Sequence, residues 1–211
     1  MGYMVNLSVE GRAALVVGGG EIARRKIEDL LAAKASVTVV APRACDRVVA
    51  MAEEKRIRAH WRPYQAEDIG DAFVVIAATD DDQVNAQVFR DATARNVLVN
   101  VVDCPALCTF TVPATVSRGD LTIAVATEGK CPALSGILRE ELEGRYGPEY
   151  GELVNLFGEL RNKMIGLGWD GQMIREKLAG LYRDRVVSVI SDGDKKALNE
   201  FVASRLGASF R

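Results

Sequence analysis

At 211 residues the chain has room for one dinucleotide-sized α/β domain and a smaller appendage, and 48% hydrophobic with 27% charged residues is the make-up of a packed globular protein. A net charge of −2 excludes the broad cationic surface that nucleic acid requires, although a local basic pocket is compatible with it. No stretch approaches the roughly 18 apolar residues of a membrane span, and the N-terminal apolar residues are interrupted by Glu10, Gly11 and Arg12. The expectation is a soluble, cytoplasmic protein with no membrane or nucleic-acid partner.

Val5 to Leu7 reads as a short lead-in strand. Leu15-Val-Val then runs into Gly18-Gly-Gly20 and on into Glu21-Ile-Ala23, the pattern of a strand, a tight turn and a helix start. In a Gly-x-Gly-x-x-Ala reading, Gly18 makes the turn, Gly20 lets the backbone approach a pyrophosphate, and Ala23 permits close helix–strand packing. The phosphates would lie on the free amides of the helix. Any tight strand-to-helix turn also selects glycine; the context favours the dinucleotide, because the motif follows a strand, opens a helix and heads a βαβ unit. Ile22, Ile27, Leu30 and Leu31 are spaced for a helix from about Glu21 to Ala33, and Val37-Thr-Val-Val40 has the β-branched make-up of a buried parallel strand. The acid expected about 20 residues after the glycines to hold the ribose hydroxyls is missing, and Ala41-Pro42-Arg43 stands there instead. Arg43 has two readings, a partner for a 2′-phosphate or a solvent-facing helix-start residue. The residues alone therefore lean slightly towards NADP or towards indifference.

A second helix is expected from about Cys45 to Lys55, a third strand over Ile57 to Trp61, a polar connection from Pro63 to Gly70, and a fourth strand over Phe73 to Ala78. Thr79 borders the crevice between the first and fourth strands, where cofactors lie in this fold. Asp80, Asp81 and Asp82 read as caps of the next helix, Gln83 to Ala94. Val97 to Val102 is a fifth strand, ending at Asp103. Beyond it the alternation stops. Phe110 to Ala114 and Leu121 to Thr127, joined across Ser117 to Asp120, read as a hairpin, followed by a helix from Pro132 with Leu134, Ile137, Leu138 and Leu142 on one stripe. Two strands and one helix bury little by themselves, which points to docking on a second copy. From Pro148 the pattern is helical as far as the Gly166-Leu-Gly168 break, with further helices near Met173 to Arg183 and Asp194 to Leu206.

The fold class expected is α/β, with a Rossmann-type parallel sheet over residues 1–112, a small α+β dimerisation region over 113–146 and an all-helical C-terminal domain over 147–211. Cys45, Cys104, Cys108 and Cys131 do not form a disulfide framework in a chain of this length without an export signal. Cys104-x-x-x-Cys108 could be half of a metal site, but His60 is the single histidine and no second close cysteine pair exists. Reduced thiols and no resident metal are the expectation.

Asn6-Leu, the Val-Val-Gly-Gly-Gly-Glu-Ile-Ala-Arg-Arg-Lys26 run, Val-Thr-Val-Val-Ala-Pro42, Ile-Ala-Ala-Thr-Asp80 with Asn85, Asn100-Val-Val-Asp103, Phe110 with Pro113-Ala, and Gly129-Lys-Cys-Pro-Ala-Leu134 follow one another in order. In this the chain resembles the precorrin-2 dehydrogenase and sirohydrochlorin ferrochelatase family, the module that also forms the N-terminal part of sirohaem synthase. The likeness is densest before Glu143. It implies a homodimer that oxidises precorrin-2 to sirohydrochlorin with NAD and, in some members, inserts ferrous iron as a second substrate to give sirohaem. It implies that Gly18, Gly20, Glu21 and Ile22 contact the dinucleotide phosphates and ribose, with Pro42 and Arg43 beside the adenosine and Thr79 near the crevice. It also overrules the lean of Arg43 towards NADP.

Asp103 matches the family's catalytic aspartate, and a carboxylate at the end of the fifth strand also makes sense as a proton acceptor in an oxidation that removes a hydride and a proton. The other reading of Asp103 is a turn cap. Arg118 and Lys130 are candidates for the carboxylates of the tetrapyrrole, each also readable as a surface charge. Cys131 departs from the serine that many relatives carry. A different class of answer is a non-catalytic NAD-sensing module on the same fold, which would tolerate loss of Asp103.

Overall fold

The computed structural model describes residues 2–207 and 210. The chain forms two compact units, residues 1–112 and 113–211.

The first unit is a five-stranded, wholly parallel sheet in the order β3-β2-β1-β4-β5, made of β1 (Ala13–Val17), β2 (Ser36–Val40), β3 (Arg58–His60), β4 (Val74–Ala77) and β5 (Leu98–Val101). Helices α1 (Glu21–Ala32), α2 (Asp46–Glu53) and α3 (Asp82–Ala94) connect the strands. Strand side chains alternate between two cores, as the two-residue period of a strand requires. Val16, Val39 and Ile76 pack with Ala23, Ile27, Val48 and Met51 from α1 and α2, whereas Leu15, Val75 and Val99 pack with Val88 and Ala92 from α3. Helices on both faces explain why these strands read as unbroken valine-rich runs rather than as polar–apolar alternation. This is the Rossmann-type α/β fold that the strand–helix alternation predicts.

Both edges of the sheet offer little to a further strand. β3 is only three residues long, and short edge strands offer little to pair with. Along β5, Thr109 donates its amide to Val99 O (2.8 Å) while its Oγ1 accepts from the Val99 amide (2.8 Å). The expected lead-in strand at Val5 to Leu7 is absent. β1 is an interior strand with β2 and β4 on its two sides, so no edge is left for it, and Leu7 packs against the core without strand pairing.

The second unit starts with an antiparallel pair, β6 (Ala114–Arg118) and β7 (Leu121–Val125), turning at Gly119. The first strand lies four residues later than Phe110 to Ala114, the span expected from sequence. Phe110 O accepts from the Asn100 amide (3.0 Å) and Thr109 is tied to Val99, so those residues cover β5 instead. Helices α4 (Pro132–Arg145), α5 (Glu149–Gly166), α6 (Gly171–Arg183), α7 (Val186–Ser191) and α8 (Lys195–Leu206) follow. Leu153, Leu160, Met164, Ile174, Leu181, Val186, Ile190 and Val202 form their shared core. α5 sits close on the hairpin at Gly151, where an added Cβ would come within 2.9 Å of Arg118 O. α7 was not expected: six residues after a left-handed Arg185 are too few to show a helical period. By contrast α4 buries none of its residues, and Leu134 and Ile137 are 44% and 61% exposed. Among the described residues, no helix is long and apolar enough to cross a membrane.

Candidate dinucleotide and catalytic site

Because all five strands run the same way, the loops after them share one rim. The order reverses between β1 and β4, and at such a switch point the loops diverge to opposite faces and leave a crevice. Gly18 to Gly20 follow β1, Thr79 follows β4, and Asp103 stands two residues beyond β5. At a strand spacing of about 4.8 Å, β1 and β5 lie about 10 Å apart.

The three glycines are not interchangeable. Gly18 has φ +122°, and a Cβ there would lie 2.2 Å from Ala78 O, so the turn can lie against the end of β4 only without a side chain. Gly19 is equally confined. A Cβ would meet Arg43 O at 2.5 Å and the Ala44 Cα at 2.7 Å, and Gly19 O accepts from the Cys45 amide (2.8 Å). The central glycine therefore closes the turn onto the β2–α2 loop, a role the Gly-x-Gly pattern leaves to any residue; the third consecutive glycine is its only trace in the sequence. Gly20 differs again, with nothing within 4 Å of an added Cβ. It is the N-cap of α1 and provides no side-chain cap. The first amides of α1 thus face open space at the positive end of the helix, which suits a phosphate.

Residues beside this cradle match the demand. Ile22 is 47% exposed on the first turn, an apolar surface open to a ligand, while Ala23 and Ile27 are buried and fix the helix to the sheet. The Glu21 carboxylate is held by Arg24 (2.7 Å), which also bonds Glu28 (2.6 Å). The Arg24 bond first, and then a bond from the Cys45 thiol, keep Glu21 below the usual carboxylate range. Its negative charge is thereby partly offset beside the expected phosphate position. Pro42 and Arg43 are exposed at the end of β2, on the other side of the turn from β4. These residues fit a dinucleotide, with the pyrophosphate over Gly20 and one nucleoside on the β2 side.

Thr79 is half-buried and engaged. Its Oγ1 donates to Asn85 Oδ1 (2.9 Å), and Asn85 Nδ2 donates to Thr79 O (3.0 Å). Asp81 caps α3 through the Gln83 and Val84 amides, as its place predicts. The buried Asn85 is thus the lock that sets the β4–α3 loop along the crevice; a polar residue at a core-facing helix position is the sequence signal for it. Asn85→Ala leaves the Thr79 carbonyl without this partner and is expected to destabilise the first unit by about 1–3 kcal/mol, read as a lower midpoint in urea at unchanged slope.

Asp103 is exposed and has φ +59°, a left-handed conformation that aspartate tolerates better than most residues. Among the described residues its carboxylate has no hydrogen-bond partner and caps no turn. The loop around it is firmly held. Val102 donates its amide to Ala77 O (2.9 Å), and the Cys108 thiol lies 3.2 Å from Val101 O and 3.3 Å from Cys104 O. Burial pushes the Cys108 thiol up from its ordinary value, so it stays a protonated donor. Asn100 adds its amide to Phe110 O. Cys104 and Cys108 thus belong to a hydrogen-bonded loop, and among the described residues no group of three or more His, Cys, Asp or Glu could hold a metal ion.

In the second unit, Arg118 donates to Tyr146 O (2.8 Å), Ser117 O (2.9 Å) and Glu143 O (3.2 Å). It ties the hairpin to the C-terminal end of α4, where a cation also meets the negative end of the helix. A ligand carboxylate would compete with three carbonyls for it. Arg118→Ala is expected to destabilise this unit by about 2 kcal/mol, measurable by thermal denaturation. Lys130 is exposed and makes no ion pair among the described residues, and Cys131 is the exposed residue before α4, with no side-chain cap bond.

The sheet order, the open glycine turn and the uncapped helix define a dinucleotide-binding Rossmann protein. Residues 5–114 match the model of a putative NAD(P)-binding family, and residues 118–145 match that of the sirohaem biosynthesis protein central region. Among curated relatives, the sirohaem synthase of Pseudoalteromonas translucida is 36% identical over 200 residues, covering 95% of this chain and 42% of that protein. That of Pseudomonas entomophila is 45% identical over 159 residues, covering 75% and 34%. The chain thus spans well under half the length of these relatives. A solved structure of SirC, precorrin-2 dehydrogenase, superposes with a TM-score of 0.77 at 28% identity, covering 96% of this chain and 98% of that one. The chain belongs to the precorrin-2 dehydrogenase and sirohaem synthase family of NAD(P)-binding proteins.

Proposed function

We propose that this chain oxidises precorrin-2 to sirohydrochlorin in sirohaem biosynthesis, with NAD as the hydride acceptor and Asp103 as the proton acceptor. The observation that carries the reading is the unpartnered Asp103 carboxylate on the rim that also holds Gly18 and Gly20. Bound NAD supplies a nicotinamide ring able to take a hydride. The chain's own part is orientation and proton handling. With the adenosine side at Pro42 and Arg43, the crevice directs the other end of the dinucleotide towards the ends of β4 and β5. The macrocycle must then give up its proton on that side, where Asp103 offers an exposed carboxylate at the end of β5. Lys130 is our candidate for a substrate carboxylate, and Arg118 the second, subject to its competing carbonyls.

NAD rather than NADP follows from the family resemblance, set against an exposed Arg43 that makes no ion pair among the described residues. Ferrous iron is proposed as a further substrate, since metal insertion releases two pyrrole protons that need an acceptor. The exposed Leu134 and Ile137 of α4 and the thin hairpin support a homodimer through this region.

The test is anaerobic precorrin-2 with the protein and NAD or NADP, followed by addition of ferrous ion. The expected result is NADH formed in step with the sirohydrochlorin spectrum, faster with NAD than with NADP, and then accelerated metal uptake. Absence of reduced cofactor would instead fit a dinucleotide-sensing module.

A further inference from the structure

We propose that a trough along α6, in the helical part of the second unit, is a binding site for the carboxylated tetrapyrrole. The inference rests on the proposed substrate class and adds a surface that neither the glycine turn nor Asp103 accounts for. Between α5 and α6 a groove of about 470 Å³ has Phe157, Ile174, Leu178 and Tyr182 as its apolar lining and Arg161 and Arg175 at its edges, with no acidic residue among its walls. A second hollow of about 630 Å³ shares Gly171, Arg175 and Ala179 with it and adds Gln172, Glu176 and Arg183. The first volume lies within the range of small-molecule sites. Gly171 and Ala179 make the dip, because neither fills the helix surface at its place.

The two hollows differ in chemistry, and together they mirror a tetrapyrrole. That ligand has a flat apolar ring system fringed by carboxylates. The apolar groove offers two aromatic rings to the face, and Phe and Tyr rings favour offset or edge contacts with another π-system. The polar hollow offers guanidinium groups to the fringe. Arg161, Arg175 and Arg183 are exposed and, among the described residues, make no hydrogen bond or ion pair, so their guanidinium groups are open to a ligand. Glu176, the single acid, accepts from Gln172 (3.0 Å) within its own helix. Three free guanidinium groups around one trough on a net acidic chain are complementary to a polycarboxylate, and arginine meets carboxylates in bidentate fashion.

The probe is uroporphyrin III, a stable octacarboxylate, titrated by fluorescence against the full chain at fixed ionic strength. Arg161→Glu with Arg175→Glu, and separately Ala179→Phe, which fills the dip without changing charge, are each expected to weaken uroporphyrin binding at least tenfold. Lys195→Glu with Lys196→Glu on α8 makes the same charge change outside the trough and is expected to leave the affinity within about twofold, since screening at physiological salt limits distant charges. Thermal melting of every variant shows whether it is folded. Equal affinity in the wild type and both trough variants, equal loss in the α8 control, or no saturable binding by wild type would each overturn the site. Failure of the oxidation reading shows separately, as no reduced cofactor from precorrin-2 with the wild-type chain.

Discussion

Asp103→Asn is expected to slow precorrin-2 oxidation by about 10²–10⁴-fold, the usual contribution of a positioned acid or base, while NAD affinity stays at the wild-type level. The substitution is nearly isosteric and tests the charge alone. Among the described residues the exposed Asp103 carboxylate has no hydrogen-bond partner, so removing its charge leaves no buried group unsatisfied. Asparagine also accepts the left-handed backbone at φ +59°. The variant should therefore melt with the wild type. Loss of rate without loss of stability or cofactor binding is the signature of a proton acceptor. Oxidation at the wild-type rate would remove Asp103 from the chemistry, and a fall in melting temperature would make it a structural residue.

The second large effect separates two glycines that a motif treats alike. Gly18→Ala forces a side chain into φ +122° and places its Cβ 2.2 Å from a backbone carbonyl oxygen that cannot move without displacing β4. Backbone strain and overpacking each carry about 1–3 kcal/mol. The first unit is expected to lose about 3 kcal/mol or more, a fall in melting temperature above about 10 °C. Gly20→Ala meets nothing within 4 Å, and the Gly20 backbone (φ −77°) suits alanine. Its melting temperature is expected to fall by only about 5 °C, because alanine is a poorer N-cap than glycine by under about 1 kcal/mol and no clash is added. Its NAD affinity should fall at least tenfold, because the new methyl occupies the approach to the α1 amides. Calorimetric titration with NAD beside thermal melts of both variants reads the contrast. Equal destabilisation by the two substitutions would contradict the division of roles.

The parts of the molecule legible in the sequence are those with strong local signals. Val37 to Val40 and Phe73 to Ala78 are apolar enough to be strands buried on both faces, and the glycine turn between Val17 and Glu21 names its own place. What escaped depends on contacts distant in sequence. The hairpin was displaced because Phe110 and Thr109 have strand-like chemistry but pair with β5 through Asn100 and Val99. Val5 to Leu7 has strand composition but no free edge to join. At the site, Gly18, Gly20 and Asp103 could be named from spacing and resemblance, whereas Gly19 and Asn85 matter through the Arg43 carbonyl and Thr79, partners 24 and six residues away. Arg118 shows the converse. As a lone cation it suggests a substrate contact, and only the fold reveals the three carbonyls around it.

A structure of this chain with NAD bound tests the central claim most directly. The account predicts the pyrophosphate on the α1 amides beside Gly20, the adenosine at Pro42 and Arg43, and the nicotinamide ring at the ends of β4 and β5 on the side of Asp103. A nicotinamide lying towards β2, with the adenosine against Asp103, would contradict it.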